Sequence, residues 1–272
     1  MDYRAQTRVL LKSARKILSN CSEENISYLA LDLRMALECL IYERVDLYKG
    51  EISDKDLATW QPDKLLRTML EIDPFADQSS IFSMRREGEG MENQPFQYLG
   101  TENLLSLGDL KSNYHRLGSY LHTRTAEAIA ENKGASFEKK LDRCKKVIGV
   151  IEKVLESTIS KSNFRTTVSL NCNSCDTKIT RRIPPEEEFA VEAKCSSCVA
   201  TYEIKPSKKN TAVWTRQGQE IDCISDGCKG YKFLWKNELI DGTNWVCEEC
   251  GREYRIGLSI HYKDEINEKS DS

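Results

Sequence analysis

The sequence lacks any apolar run approaching the roughly 18 residues that a membrane span requires. It also lacks an apolar signal-peptide core, because Met1 to Arg4 lead into a polar, charged segment. Histidine is scarce, with three residues in 272, and neither sign of charge prevails, since 40 basic and 43 acidic side chains give a net charge of −3. We therefore expect a cytoplasmic protein without membrane association, and no global basic field that would attract nucleic acid.

Cysteine, by contrast, is abundant, with 11 residues. Disulfides are rare in a reducing cytosol, so these cysteines need another explanation. Eight of them form pairs between residues 172 and 250: Cys172-x2-Cys175 and Cys195-x2-Cys198 are separated by 19 residues, and Cys223-x4-Cys228 and Cys247-x2-Cys250 by 18. Zinc prefers four soft ligands in a tetrahedron, and two such turns at the tips of adjacent hairpins form a zinc ribbon. The spacing predicts two structural Zn²⁺ ions.

The two sets of cysteines look like copies of one another. Cys195-x2-Cys198-x3-Tyr202-x-Ile204 matches Cys247-x2-Cys250-x3-Tyr254-x-Ile256. Redox-active pairs are the alternative, but such pairs need no partner at ribbon distance. An all-thiolate site leaves no open position for water, so catalytic zinc is not expected. The dispersed Cys21, Cys39 and Cys144 are expected to pack in the core of the first half.

The spacing of apolar residues predicts helices over residues 3–18, about 24–48, 62–72, about 105–125 and about 136–160. Ser22 is the expected cap of the second helix, and residues 75–104 are expected to form a long loop with at most one strand. Strand-like alternation begins at Thr166. The predicted fold class is α+β, with an all-α bundle over 1–163, β zinc ribbons over 164–210 and 211–264, and a disordered tail over 265–272.

Zinc ribbons bind nucleic acid, dock a partner or stabilise a small fold, and all three roles remain open. Local basic groups occur at Lys178, Arg181 and Arg182 and at Lys205, Lys208 and Lys209, with Trp214 nearby. Cations beside aromatic rings suit phosphate contact and base stacking. Four acids, Glu186 to Glu188 and Glu192, weigh against a uniform basic patch. The candidate ligands of the ribbons are RNA, DNA or a protein trigger.

One string in the helical half, residues 113–122, contains an arginine and two of the three histidines. By residue types alone it can be a helix with a polar face. Arg116-x5-His122, placed before a final long helix, resembles the R-x4-6-H signature of the HEPN superfamily of helical-bundle ribonucleases. The surrounding Tyr114-x2-Leu117-Gly118 and the earlier helix around Glu38 add to a resemblance that covers roughly residues 1–160. Glu38 is either a contact of the motif or an exposed acid.

The resemblance implies metal-independent cleavage of RNA by a homodimer with a composite cleft, in a toxin or phage-defence effector. His122 would transfer a proton near neutral pH, and Arg116 would stabilise the charged phosphorane. Leu117 departs from the family, in which many members have a polar residue after the arginine. In an unbroken helix, moreover, the two side chains lie about 120° apart, so they converge only through a break, for which Gly118 is a candidate, or across a dimer. The alternative is a non-catalytic nucleic-acid-binding or scaffolding protein that dimerises through its bundle.

Overall fold

The structure is a computed structural model that describes residues 1–52, 54–86, 88, 94–123, 127, 134–162, 165–183, 189–207 and 211–257. The chain divides into two compact units, Met1–Phe164 and Arg165–Ser272. Helices dominate the first unit and small antiparallel sheets form the second, which confirms the predicted order of helices before strands. Within the described part of the chain, no helix combines the length and hydropathy that a membrane span requires. The predicted tail, 265–272, lies outside the described residues.

The described helices of the first unit begin and end largely where local signals place them. They are α1 Tyr3–Leu18, α2 Ile26–Val45, α3 Asp54–Leu57, α4 Pro62–Ile72, α5 Leu107–Ser119 and α6 Phe137–Leu155, with a 3-10 turn at Asp46–Tyr48. Asp2 caps α1 by accepting from the Ala5 N–H at 2.9 Å. The predicted Ser22 cap of α2 is wrong, because the helix starts at Ile26 and the Ser22 N–H instead donates to the Asn25 side chain at 2.8 Å.

Helix α2 is the centre of the first unit and packs against α1, α4, α5 and α6. Its core residues lie on one side, within an arc of about 140° at 3.6 residues per turn: Leu29, Ala30, Leu33, Ala36, Leu37, Leu40 and Ile41 are all almost fully buried. Cys39 and Cys144 are buried in the same core, and Cys21 packs at its margin. Burial of a small apolar side chain is the role expected for these three cysteines.

Residues 75–104 contain two strands, not at most one. β1 Ser80–Met84 pairs antiparallel with β2 Gln97–Glu102, with a register shift between Phe82 and Ser83. The apolar pattern did not predict this hairpin. Ile81, Tyr98 and other large apolar side chains of both strands are exposed, so apolar residues do not alternate with polar ones as they do in a half-buried strand. The Thr101 carbonyl accepts N–H groups from the segment after α6, at 3.0 and 3.2 Å, so this segment lies against β2.

The second unit consists of nine described strands in four antiparallel sheets. They are β3 Thr166–Asn171, β4 Lys178–Ile183, β5 Val191–Lys194, β6 Thr201–Ser207, β7 Thr211–Arg216, β8 Gly218–Asp222, β9 Tyr231–Trp235, β10 Asn244–Val246 and β11 Glu253–Arg255. The sheets are β3-β4, β5-β6-β7, β8-β9 and β10-β11. Because β7 pairs with β6 over its whole length, the predicted division at residue 210 falls between two strands of one sheet.

The two cysteine-bearing halves of the second unit meet through β9. Trp235 is 6% exposed and lies in the apolar cluster of the first half, where its ring centroid is 5.3 Å from that of Tyr202. The Trp235 indole N–H donates to Ser174 Oγ at 3.1 Å. Gln217 joins the backbones, since its N–H donates to the Thr201 carbonyl at 2.8 Å and its carbonyl accepts from Lys236 N–H at 2.9 Å. These contacts join the two halves, although the second half also has its own apolar cluster, which includes Leu234 and Trp245.

Candidate metal centres and candidate active site

The first cysteine cluster consists of Cys172, Cys175, Cys195 and Cys198, whose Sγ atoms all lie within 4.8 Å of one another. The first two follow β3 and the last two follow β5, so two hairpin turns bring the four thiols together. The Sγ atoms of Cys172 and Cys198 are 3.5 Å apart, as are those of Cys175 and Cys195. Zinc–sulfur bonds of about 2.3 Å in a tetrahedron separate sulfurs by about 3.8 Å. The cluster can hold a metal ion of this kind.

The second cysteine cluster, Cys223, Cys228, Cys247 and Cys250, repeats this arrangement between β8 and β9 and between β10 and β11. Its Sγ–Sγ distances are 3.6 Å for Cys223 and Cys250 and 3.7 Å for Cys228 and Cys247. The extra residues in the Cys-x4-Cys turn are accommodated by Gly227, which has a left-handed φ of 76°. This cluster can hold a second metal ion.

Backbone geometry explains why a Cys-x2-Cys turn gathers its two thiols. Asp176 and Gly251 follow the second cysteine of their turns with left-handed φ values of 58° and 72°. Each donates its N–H, at 2.9 Å, to the carbonyl of the turn's first cysteine, Cys172 or Cys247. Asp and Gly are among the few residues that adopt this conformation readily. The same turn geometry therefore occurs at the first turn of one cluster and at the second turn of the other.

Two tyrosines, one in each cluster, contact a cysteine thiol through their hydroxyl groups. Tyr202 donates to Cys172 Sγ at 3.5 Å, and the Tyr254 hydroxyl lies 3.0 Å from Cys223 Sγ. Burial acts to raise the pKa of Cys172, but the Tyr202 hydroxyl and neighbouring backbone N–H groups outweigh it and lower that pKa to about 6. The Tyr254 hydroxyl likewise lowers the pKa of Cys223 to about 6. Each tyrosine stabilises one thiolate, the form that binds metal.

The sequence shows the repeat of these tyrosines, each four residues after the last cysteine of its cluster, but it did not predict their role. The matched spacing in the two clusters indicated that these tyrosines share a role. It could not show that each tyrosine hydroxyl contacts the first cysteine of its cluster. Second-shell contacts of this kind orient metal ligands.

Of the four predicted nucleic-acid-binding residues that the structure describes, two are buried and two are exposed. Arg181 and Arg182 are 9% and 2% exposed, and Arg181 donates to the Thr180 and Lys194 carbonyls at 2.8 Å each. Lys178 is exposed, whereas Lys205 forms an ion pair with Glu203 at 3.4 Å. Lys208 and Lys209 lie outside the described residues. The two buried arginines are not available to an external phosphate group.

Arg116 and His122 lie on either side of the end of α5. Arg116 is exposed in the last turn of the helix, which ends at Ser119. The Leu121 N–H donates to the Gly118 carbonyl at 3.1 Å, and His122 follows as an exposed residue outside the helix. The helical 120° separation therefore does not apply to this pair. Across the described residues, no hydrogen bond or ion pair joins the two side chains.

The remainder of the motif is tied to α2. Tyr114 is almost fully buried, and its hydroxyl donates to Glu38 at 2.7 Å, so Glu38 contacts the motif. Arg34 lies over the Tyr114 ring, 4.0 Å from its centroid. Gly118 faces the Arg34 guanidinium so closely that an added Cβ would collide with it. Burial and the Glu38 carboxylate raise the pKa of Tyr114 to about 12. These contacts hold the C-terminal end of α5 in place.

Comparisons of the chain with protein-family models, with curated proteins and with solved structures found no match.

Proposed function

We propose that the protein is a metal-independent endoribonuclease of the HEPN type, active as a homodimer in the cytoplasm as a toxin or phage-defence effector. The observation that carries the proposal is the end of α5 between Arg116 and His122, which leaves both side chains exposed although they are six residues apart. A helix that continued through residue 122 would separate them by about 120°. Residue chemistry and the resemblance support a catalytic role for this motif. In the proposed dimer, the second copy of the motif comes from the other subunit.

The chemistry follows from the two side chains. One histidine accepts the proton of the ribose 2′-hydroxyl, or donates a proton to the departing 5′-oxygen, because its pKa lies near neutrality. The 2′-oxygen attacks the adjacent phosphorus, the bond to the 5′-oxygen breaks, and the products carry a 2′,3′-cyclic phosphate and a 5′-hydroxyl. Arg116 neutralises the charge that develops on the phosphorane, since its guanidinium stays charged and fits phosphate oxygens.

We further propose that each cysteine cluster holds a structural Zn²⁺ ion in a zinc ribbon. The donors fit this ion because they are four sulfurs at tetrahedral separations, which zinc favours and which leaves no position for a reacting water. Zinc would supply folding energy to a unit whose sheets are too small to be stable alone. The ribbons would then recognise RNA, DNA or a protein trigger.

Cleavage of a labelled single-stranded RNA in EDTA tests the nuclease. Replacing His122 by alanine should reduce the rate by about 10²- to 10⁴-fold, the usual contribution of a general acid or base. His115→Ala is the matched control, because His115 is also exposed and contacts Asp63 of α4 instead, at 3.6 Å. Light scattering reports whether both variants stay dimeric. Absence of cleavage by the unmodified dimer would favour the non-catalytic scaffold.

A further inference from the structure

Three cations gather around Tyr120, where the end of α5 meets the start of α6. Lys140 Nζ lies 5.7 Å from the centroid of the Tyr120 ring. Arg143, one turn along α6, donates to Asn113 Oδ1 at 3.1 Å. Asn113, Arg116 and Tyr120 lie on successive turns along one side of α5. Arg116 therefore lies on α5 between Asn113, which Arg143 contacts, and Tyr120, which Lys140 contacts. Burial raises the pKa of Tyr120, and the charges of Arg116 and Arg143 act in the opposite direction.

Ion pairing separates these three cations from some of the other basic side chains of the unit. Several other basic side chains of the unit form ion pairs: Arg4 with Glu43, Arg15 with Glu152, Arg44 with Glu102, Lys49 with Asp46, and Lys146 with Asp142. No carboxylate of the described residues pairs with Arg116, Lys140 or Arg143. Arg143 and Lys140 are also half-buried, so water solvates them only in part.

A lysine at position 140 does not stabilise helix α6. It lies in the first turns of α6, which starts at Phe137. The helix dipole is positive at this end and favours acidic residues, so a lysine here is mildly unfavourable for the helix. Adjacent like charges that lack partners repel each other, and a polyanion would relieve the repulsion.

We propose that Lys140 and Arg143 bind the phosphodiester backbone of single-stranded RNA and lead it to Arg116 and His122. The inference rests on the proposed function for the identity of the strand. Guanidinium and ammonium groups are the side chains that bind backbone phosphates. Neither residue belongs to the Arg116-x5-His122 motif, and they come from the next helix.

Binding of a labelled oligouridine RNA, measured by fluorescence anisotropy between 50 and 200 mM salt, tests the surface. All proteins carry His122→Ala so that the strand stays intact. Lys140→Gln with Arg143→Gln removes two phosphate contacts, and each contact contributes about 0.7 to the slope of log affinity against log salt for a single strand. The slope should fall by about 1.4, and affinity at 0.1 M salt by about 25-fold. Lys145→Gln with Lys153→Gln, exposed positions on the same helix, is the charge-matched control and should leave both values unchanged.

The outcomes separate this inference from the proposed nuclease. Unchanged binding by the Lys140/Arg143 variant, or an equal loss in the control, would overturn the surface while leaving cleavage intact. If binding depends on the two residues but the protein with His122 in place cleaves no RNA, the surface is retained and the nuclease is rejected. A DNA strand of the same sequence should show the same loss, because phosphate is the group bound; a loss for RNA alone would overturn phosphate binding. If circular dichroism shows that the double variant unfolds, Lys140→Gln alone should give half the change in slope.

Discussion

Replacing Tyr254 by phenylalanine should weaken metal binding at the second cysteine cluster and leave the fold intact. The substitution removes only the hydroxyl that lies 3.0 Å from Cys223 Sγ, and the ring can still stack on Trp245 at a centroid distance of 4.6 Å. A hydrogen bond to a charged acceptor contributes about 1.5–3 kcal/mol. At about 1.4 kcal/mol per factor of ten, zinc affinity should fall by about 10- to 100-fold, the range typical of residues that orient metal ligands.

Competition with a chromogenic zinc chelator measures this change. The native protein should release two equivalents of zinc, and the Tyr254→Phe variant should release one of them at about 10- to 100-fold lower chelator concentration. Tyr231→Phe is the matched control, since Tyr231 is 59% exposed and should leave the release curve unchanged. Superimposable curves for Tyr254→Phe and the native protein would refute the reasoning that this hydroxyl stabilises the Cys223 thiolate.

Three further results are expected. Removing zinc should abolish the near-ultraviolet circular dichroism of the second unit while the helical signal at 222 nm persists, because thiolate–zinc bonds supply most of the folding energy of such small sheets; loss of the helical signal would contradict the division into two units. Trp235→Ala should lower the free energy of unfolding of the second unit by about 3–5 kcal/mol, and a negligible effect in urea titration would mean that its halves fold separately. Glu102→Ala should lower the stability of the first unit by about 3–5 kcal/mol, since Glu102 is 4% exposed and pairs with Arg44 at 3.3 Å; exposed Glu71→Ala is the control, and equal melting temperatures for the two variants would argue against a buried ion pair.

Local signals in the sequence sufficed for several elements. Helices α1 and α4 have the bounds that apolar spacing predicts, because Asp2 and Pro62 set their first turns within a few residues. The eight cysteines that form the two clusters were predicted from spacing alone. A tight turn that places two thiols on one side is a short-range property, so each pair of cysteines can be recognised without knowledge of the fold.

The remaining features depend on contacts between residues distant in the sequence. Nothing local indicates that Arg182 becomes buried, that Trp235 enters the core of the other half, or that the Tyr254 hydroxyl reaches Cys223. The three cations near Tyr120 likewise come from two helices that only packing brings together. Sequence spacing by itself determined which side chains can bind metal and where most helices lie. Tertiary structure decided which charges stay unpaired and which are buried, because burial and pairing are properties of neighbours in space.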